Sequence, residues 1–383
     1  MRRFQLKTFL KNYNFTLAVL VILLAVCGIF AVNSARSSLM QRQMLGVIAG
    51  SVVMIVVSLF DYHLYLKYYW AMYILNTVLL GLVLSPLGDD AGGSQRWLDL
   101  GIRFQPSEIA KILLILFFAQ FIMIRREKLN TLRVLGTSVV LILVPLALII
   151  EQPDLSTTIM IAVLFCVMIY TGGIYHRIIF ALLAVFVPIV IIFVSIVLQP
   201  DQTLIKSYQQ TRILAWLNPS EYADTQAYQQ INSEMAIGSG QLLGKGYANN
   251  EISSVKNGNF ISQPQTDFIF AVIGEEWGFI GCFTIIALLF LISLQCFLSA
   301  RKAKDMAGRV ICCGMGGLIC FQSFINICVT TGLMPNTGIP LPLVSYGLTS
   351  LLTIFFGMGV VLNICLQSGF SERGNTPTMN LDF

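Results

Sequence analysis

The residues best placed to do chemistry are few, and most are charges in a chain where charges are scarce. Asp267 ends Gln263-Pro264-Gln265-Thr266-Asp267, directly before the apolar stretch 268–273 and then Gly274-Glu275-Glu276-Trp277-Gly278. A carboxylate at such a boundary between polar and apolar sequence can act as a general base, or it can cap the helix that follows. A helix dipole would lower its pKa and partial burial would raise it; the sequence leaves the winner open. Glu275 and Glu276 lie too far along a helix from Asp267 to form a close carboxylate pair, so a glycosidase-style pair of acids is not indicated. Glu108 and Lys111 open an apolar run three residues apart, on one helical face and able to pair. Charges at that depth face a bundle interior or a water-filled cavity, or they lock helices together as a structural ion pair. The segment from Gly238 to Gly246 has the glycines and the lysine, Lys245, of a phosphate loop but neither the P-loop nor the dinucleotide spacing. Its glycines read first as turn residues; in the other reading its amides and Lys245 meet a diphosphate.

These groups need a scaffold, and composition names its solvent. Of 383 residues, 56% are apolar and 11% charged, against roughly 45–50% and 25% for soluble domains; mean hydropathy is +0.78. That excludes a cytosolic enzyme, a disordered chain and a disulfide-rich secreted module. The nine cysteines lie in apolar runs and the only histidines are His63 and His176, so neither a disulfide framework nor a zinc site is indicated. The net charge of +5 is modest, and no nucleic-acid partner is expected.

Apolar runs of about 17–25 residues can cross a bilayer. They fall at about 15–33, 44–60, 65–84, 106–124, 134–150, 157–173, 178–198, 277–298, 310–329 and 348–366. The fold class predicted is therefore all-α and polytopic, a single membrane domain over 1–383 with about ten transmembrane helices. Basic clusters at Arg2, Arg3, Lys7 and Lys11, at 125–133 and at 301–309 place both termini in the cytoplasm by the positive-inside rule. The polar stretches of about 85–105, 199–266 and 330–347 are then external, the largest lying between helices 7 and 8, and the tail of about 367–383 is internal. The apolar stretch before Gly274 covers only about 10 Å as a helix, so it is expected to lie in or dip into the outer interface, capped by Asp267. The segment from Pro335 to Gly347 has no charge; its prolines and glycines suit non-helical backbone lining a cavity at membrane depth.

The ordered set Arg96-Trp97-Leu98-Asp99-Leu100-Gly101, Gln105 to Lys111, Gln152-Pro153-Asp154-Leu155, Arg212-Ile213 with Leu217-Asn218-Pro219, Ala236 to Gly246, Thr266 to Gly278 and Thr331 to Gly347 resembles the SEDS (shape, elongation, division, sporulation) family. The likeness is greater to its RodA branch than to FtsW. It departs at Ser156 and Gln241, where glycine is usual, and at Leu348-Thr349. Before Asp267, Ser262-Gln263-Pro264-Gln265 lacks the family's common acid and histidine.

The resemblance implies a peptidoglycan glycosyltransferase that polymerises lipid II on the outer face of the bacterial cytoplasmic membrane, for cell elongation, shape or division. It implies a class B penicillin-binding protein as crosslinking partner, alongside other elongation or division machinery. Asp267 matches the family's essential acid and is the expected catalytic base of an inverting displacement. Arg212, Lys111 and Lys245, in that order, are the candidates for the departing diphosphate; a divalent cation, Mg or Mn, could substitute, and no other cofactor is evident. Trp97, Glu108, Glu276, Asn336, Thr337 and Ser345 are further substrate-binding candidates. The alternative is a flippase or transporter of a polyprenyl-linked precursor, in which Glu108 and Lys111 would dominate and essential groups would sit on both faces. A partner's anchor helix needs close approach to small residues, which Gly281, Gly314, Gly316 and Gly317 offer unless they pack this chain's own helices together.

Overall fold

The structure, a computed structural model, describes residues 13–86, 88–90, 95–99, 101, 103–178, 195–197, 199, 207–248, 254 and 260–371. The seventh expected run lies almost wholly outside the described residues, as do the N-terminal basic cluster, Lys206, Lys256 and the tail from 372. In chain order the helices are α1 (Phe15–Ala35), α2 (Met40–Leu59), α3 (Tyr62–Lys67), α4 (Tyr69–Val83), α5 (Pro106–Ile124), α6 (Leu132–Glu151), α7 (Leu155–Thr171), α8 (Ser207–Leu217), α9 (Tyr228–Ser239), α10 (Ile269–Lys302), α11 (Met306–Thr330) and α12 (Leu348–Ser371). Among the described residues, seven helical units are long and apolar enough to span a membrane: α1, α2 with its short lead-in turn, α5, α6, α10, α11 and α12. The shorter apolar helices are α4 and α7.

The centre is α5. Proline at its start costs no hydrogen bond, because the first amides of a helix have no partner inside it. From Ala110 to Ile122 nearly every side chain is buried, so this helix, apolar apart from Lys111 and Gln120, is surrounded by α4, α7, α11 and α12. By contrast α6 turns Val139, Val140, Leu143 and Val144 outward, the surface lipid would cover.

Three features go beyond the spans read from the sequence, and the first departs from the all-α expectation. The 85–105 stretch folds into a small antiparallel sheet of β1 (Gly88–Asp90), β2 (Gln95–Asp99) and β3 (Arg103–Phe104) in that order, with Leu98 opposite Phe104 and Asp99 opposite Arg103. Leu98 is wholly buried, which anchors the sheet on the bundle. The long 199–266 stretch contains α8 and α9, and these close the end of α11. Gln230 Nε2 donates to Val329 O at 3.0 Å and to Met334 O at 2.9 Å, Ser233 Oγ to Thr330 O at 2.8 Å, and Trp216 Nε1 to Gly332 O at 2.9 Å. Carbonyls that a helix terminus leaves unpaired are thereby satisfied.

The third feature concerns 268–273. Phe268 to Ile273 are at most 3% exposed, so the apolarity of this stretch is met by burial in protein and not by contact with lipid. It forms the first leg of α10, which breaks at Gly278 (φ 62°, ψ −161°). The broken helix leaves amides and carbonyls without helical partners, and the glycine segment supplies them. Phe279 N–H donates to Gln241 O at 2.8 Å, Lys245 N–H to Glu275 O at 2.9 Å and Gly246 N–H to Glu276 O at 3.1 Å. Gly244 (φ +79°) and Gly278 both occupy the left-handed region and sit so close that a Cβ on either would enter the other segment's backbone. The glycines are there to brace a helix break.

Candidate active site

Asp267 follows this loop and precedes the first leg of α10. It does not cap that helix: Phe268 is the N-cap residue, and no side chain caps there. Its backbone is fixed instead. Asn326, on α11, donates through Nδ2 to Asp267 O at 2.8 Å and to Ile339 O at 2.7 Å. Ser345 Oγ donates to Thr266 O at 2.6 Å and accepts from Leu341 N–H at 2.8 Å, while Tyr346 N–H donates to Gln265 O at 2.9 Å. The 335–347 segment is thus non-helical backbone stitched to the strand of chain that carries the acid. Its carbonyls are satisfied by polar side chains of α11, as irregular backbone inside a membrane protein requires. Gly338 reaches the carboxylate itself: a Cβ there would stand 3.4 Å from Asp267 Oδ2.

The Asp267 side chain keeps a partial opening but is otherwise ringed by protein, so it loses more hydration than that opening suggests. Burial pushes its carboxyl up to about 6, against the pull of Arg212 and then Arg96, with Asp154 adding a push upward. Burial therefore outweighs charge. A carboxyl near 6 is ionised at neutral pH yet basic enough to take a proton from a hydroxyl in a transition state.

The two arginines arrive from different elements. Arg212 lies on α8 and its Nη1 reaches Asn336 O at 3.5 Å. Arg96 lies on β2; its Nη2 donates to Pro153 O at 2.6 Å and its Nη1 lies 3.9 Å from Asp154 Oδ1. Asp154 already caps α7, accepting from Thr157 N–H at 3.1 Å and from Thr157 Oγ1 at 2.9 Å. Ser156 Oγ donates to Thr337 O at 2.7 Å, so the serine that replaces the usual glycine ties α7 to the 335–347 segment.

A small cavity beside Asp267 is lined by Gln105, Glu108, Lys111, Asp154, Thr157 and Gly338, among others. Lys111 Nζ donates to Glu108 Oε1 at 2.8 Å and to Gln322 Oε1 at 2.9 Å, and both charges are about 95% buried. Several polar atoms around this region have no hydrogen-bond partner among the described residues: Glu108 Oε2, Arg96 Nε, Asn326 Oδ1, Asn336 Oδ1 and Thr337 Oγ1. Buried groups of this kind cost free energy unless something else meets them.

The candidates read from sequence therefore divide. Asp267, Arg212, Asn336, Thr337 and Ser345 come together, with Glu108 and Lys111 across the cavity. Lys245 and Glu276 do not join them. Lys245 Nζ donates to Glu275 Oε1 at 3.0 Å, and Glu276 accepts from Ser34 Oγ on α1 and from Ala248 N–H at 3.2 Å. Trp97 alternates away from Arg96 along β2 and stacks under the Arg103 guanidinium, 5.0 Å from its ring centre. Sequence reading missed Asn326 and Gln322. Their signal was present: two amides four residues apart in an apolar run share one face, and that face turns inward. The small residues offered as a docking stripe pack inward too: Gly314 against Ile115, Gly316 against Cys296 and Phe297, Gly317 against Val167.

A bundle of apolar helices with one buried acid, acted on by the charges of two arginines where irregular backbone meets helix ends, is suited to a polar, anionic reactant. The chain belongs to the FtsW, RodA and SpoVE family, whose profile, described as "Cell cycle protein", matches residues 5–369. It is a multi-pass membrane protein. It is 35% identical over 367 residues to the peptidoglycan glycosyltransferase MrdB of Escherichia coli K12, covering 94% of this chain and 95% of that one. It is 32% identical over 385 residues to the probable peptidoglycan glycosyltransferase FtsW of Bacillus subtilis, covering 96% and 94%. A structure reported for the coordination of polymerization and crosslinking by a peptidoglycan synthase complex matches with a TM-score of 0.78 at 26% identity, over 93% of this chain and 98% of that one. The rod shape determining protein RodA of Thermus thermophilus shares the fold, with a TM-score of 0.66 at 24% identity, over 92% and 96%.

Proposed function

We propose that this protein is an inverting peptidoglycan glycosyltransferase that polymerises lipid II at the outer face of the bacterial cytoplasmic membrane. The reading rests on family membership, and the observation that carries it is a single acid, Asp267, pinned through its backbone by Asn326 and set against Gly338 at the edge of a polar cavity, with Arg212 and Arg96 acting on its charge. Asp267 accepts the proton of an acceptor sugar's 4-hydroxyl as that oxygen attacks the anomeric carbon of the donor. The bond from that carbon to the diphosphate oxygen breaks, and the diphosphate leaves with the electron pair. About ten spans, with both termini cytoplasmic, set this site facing out, where a membrane-open groove admits the polyprenyl tails. Among the described residues no group of three His, Cys, Asp or Glu side chains is gathered to hold a metal ion; a Mg or Mn ion carried by the diphosphate itself would need only one or two carboxylates, and the step is written for this chain's own residues.

A class B penicillin-binding protein is the partner this reading calls for, because glycan strands must be crosslinked. The name of the matching peptidoglycan synthase complex supports that. A second reading, translocation of the lipid-linked precursor, has one observation in its favour: the buried Glu108–Lys111 pair beside a cavity. Purified protein in nanodiscs, given lipid II with and without the transpeptidase, should yield glycan polymer. In sealed proteoliposomes, transport of labelled lipid II across the bilayer without any polymer would replace the enzyme reading by the second.

A further inference from the structure

Two lysines expected to meet the donor's diphosphate are already committed. Lys111 is held between Glu108 and Gln322, and Lys245 pairs with Glu275 on the brace of α10. Arg96, from the sheet that composition alone did not foresee, is differently placed. Its side chain is 20% exposed, and it is anchored at one end nitrogen by the Pro153 carbonyl. Its nearest carboxylate, Asp154, stands at 3.9 Å and spends its oxygens on Thr157. Arg96 Nε is buried with no hydrogen-bond partner among the described residues.

The charges around Asp267 balance while it is ionised, and one positive charge is left over for an anion once it takes a proton. Arg96 and Arg212 both act on this carboxylate, opposed by Asp154, while burial already works against its own ionisation; Glu108 and Lys111 cancel each other. Guanidinium groups held in place match phosphate oxygens in pairs, which a mobile ammonium does not. With Arg212 on α8 and Arg96 on β2, the two cations act on the acid's charge from separate parts of the fold. A diphosphate drawn between them would bring the anomeric carbon beside the base.

We infer that Arg96 joins Arg212 to bind the departing diphosphate of a polyprenyl-linked donor, so that the small sheet is part of the active site. This rests on the glycosyltransferase reading and names the group that receives its leaving charge. The prediction has two separable readouts. First, the protein in phosphatidylcholine nanodiscs should bind undecaprenyl diphosphate at least tenfold more tightly than undecaprenyl monophosphate. Arg96→Gln should erase that preference, and Arg96→Lys should keep part of it. Second, Arg96 lowers the proton affinity of Asp267, so Arg96→Gln should move the acid limb of the polymerisation rate to higher pH, a shift that mere loosening of the sheet would not cause.

An unchanged diphosphate preference in Arg96→Gln, with the thermal melt intact, would overturn the inference while leaving the enzyme reading standing. If Arg96→Gln fails to fold, Arg96→Lys carries the test: full diphosphate preference together with an unmoved pH limb would count against the assignment. Nanodiscs of phosphatidylglycerol provide a third arm. If that lipid displaces undecaprenyl diphosphate in proportion to its abundance, the arginines serve headgroups and the proposal fails. Absence of polymer from the wild type under every condition would instead sink the reading beneath it.

Discussion

Asp267 meets two demands that conflict, and the conflict makes its role measurable. Its carboxyl is raised from 3.8 to about 6, so as a base it is half ionised near pH 6. The rate of polymerisation should be flat above about pH 7 and fall roughly tenfold per unit below 6, as a pH–rate profile on lipid II will show. Stability runs the other way. The folded state holds this proton more tightly than the unfolded chain does, so the contribution is fully present below about pH 4 and is lost as pH rises through 6. At pH 7.5 the ionised carboxylate costs the fold on the order of 3 kcal/mol, from two units at about 1.4 kcal/mol each. Asp267→Asn removes both the base and that cost. The expected result is a loss of polymer of at least 100-fold in a protein whose melting temperature is unchanged or higher. Normal polymer from a well-folded Asp267→Asn variant would remove the residue from catalysis. A lowered melting temperature would instead mean the ionised carboxylate is a structural partner of the arginines.

At the scale of elements, two devices hold the site, one made of backbone and one of charge. The break in α10 ends the first leg that follows Asp267, and the interlock of Gly244 with Gly278 sets the break. Gly278→Ala must adopt a left-handed conformation and also enter the backbone of 242–244, so it should cost upward of about 2 kcal/mol and reduce polymerisation in step. Gly81→Ala, in α4 with no heavy atom within 4 Å of its Cβ, should be neutral or slightly stabilising. Equal effects from the two in a nanodisc melt would refute the interlock. The second device joins α5 to α11 through Glu108, Lys111 and Gln322. Removing one partner leaves a lone buried charge, at about 3–5 kcal/mol, whereas removing both can be nearly neutral. A double-mutant cycle of Glu108→Gln and Lys111→Met should therefore show the pair costing less than either single change. Strictly additive losses would mean the 2.8 Å contact carries no coupling.

Across the whole molecule, what was legible in the sequence was what the bilayer and the spacing of charges dictate. The apolar runs at 15–33, 106–124, 310–329 and 348–366 became α1, α5, α11 and α12, and Glu108 met Lys111 as a three-residue spacing requires. Other features were hidden because they depend on partners distant in the chain. The apolar 268–273 stretch was indistinguishable from a lipid-facing helix until its burial in protein was seen. Arg96 was only one of several external cations until the sheet turned it toward Asp154. The length of the molecule gives a last test, which separates catalysis from transport. At the far end of α11 from Asn326, about 30 Å away along that helix, His63 lies between two carboxylates. Its Nδ1 is 2.7 Å from Asp61 Oδ1 and its Nε2 2.9 Å from Asp305 Oδ2, and Gln367 Nε2 donates to Asp61 Oδ1 at 2.7 Å. This cluster ties α3, α11 and α12 together and is half exposed, so it should contribute only about 1 kcal/mol or less per pair. An enzyme with its chemistry at one end does not need it, whereas a carrier that presents its substrate to both sides needs groups at each. The variant Asp61→Asn with His63→Gln and Asp305→Asn keeps the caps of α3 and α11 and removes the charges. Its polymerisation of lipid II should stay within about threefold of wild type while its melting temperature drops by a few degrees. A loss beyond tenfold in a folded protein would show that the far end takes part in turnover, and the transport reading would then have the stronger claim.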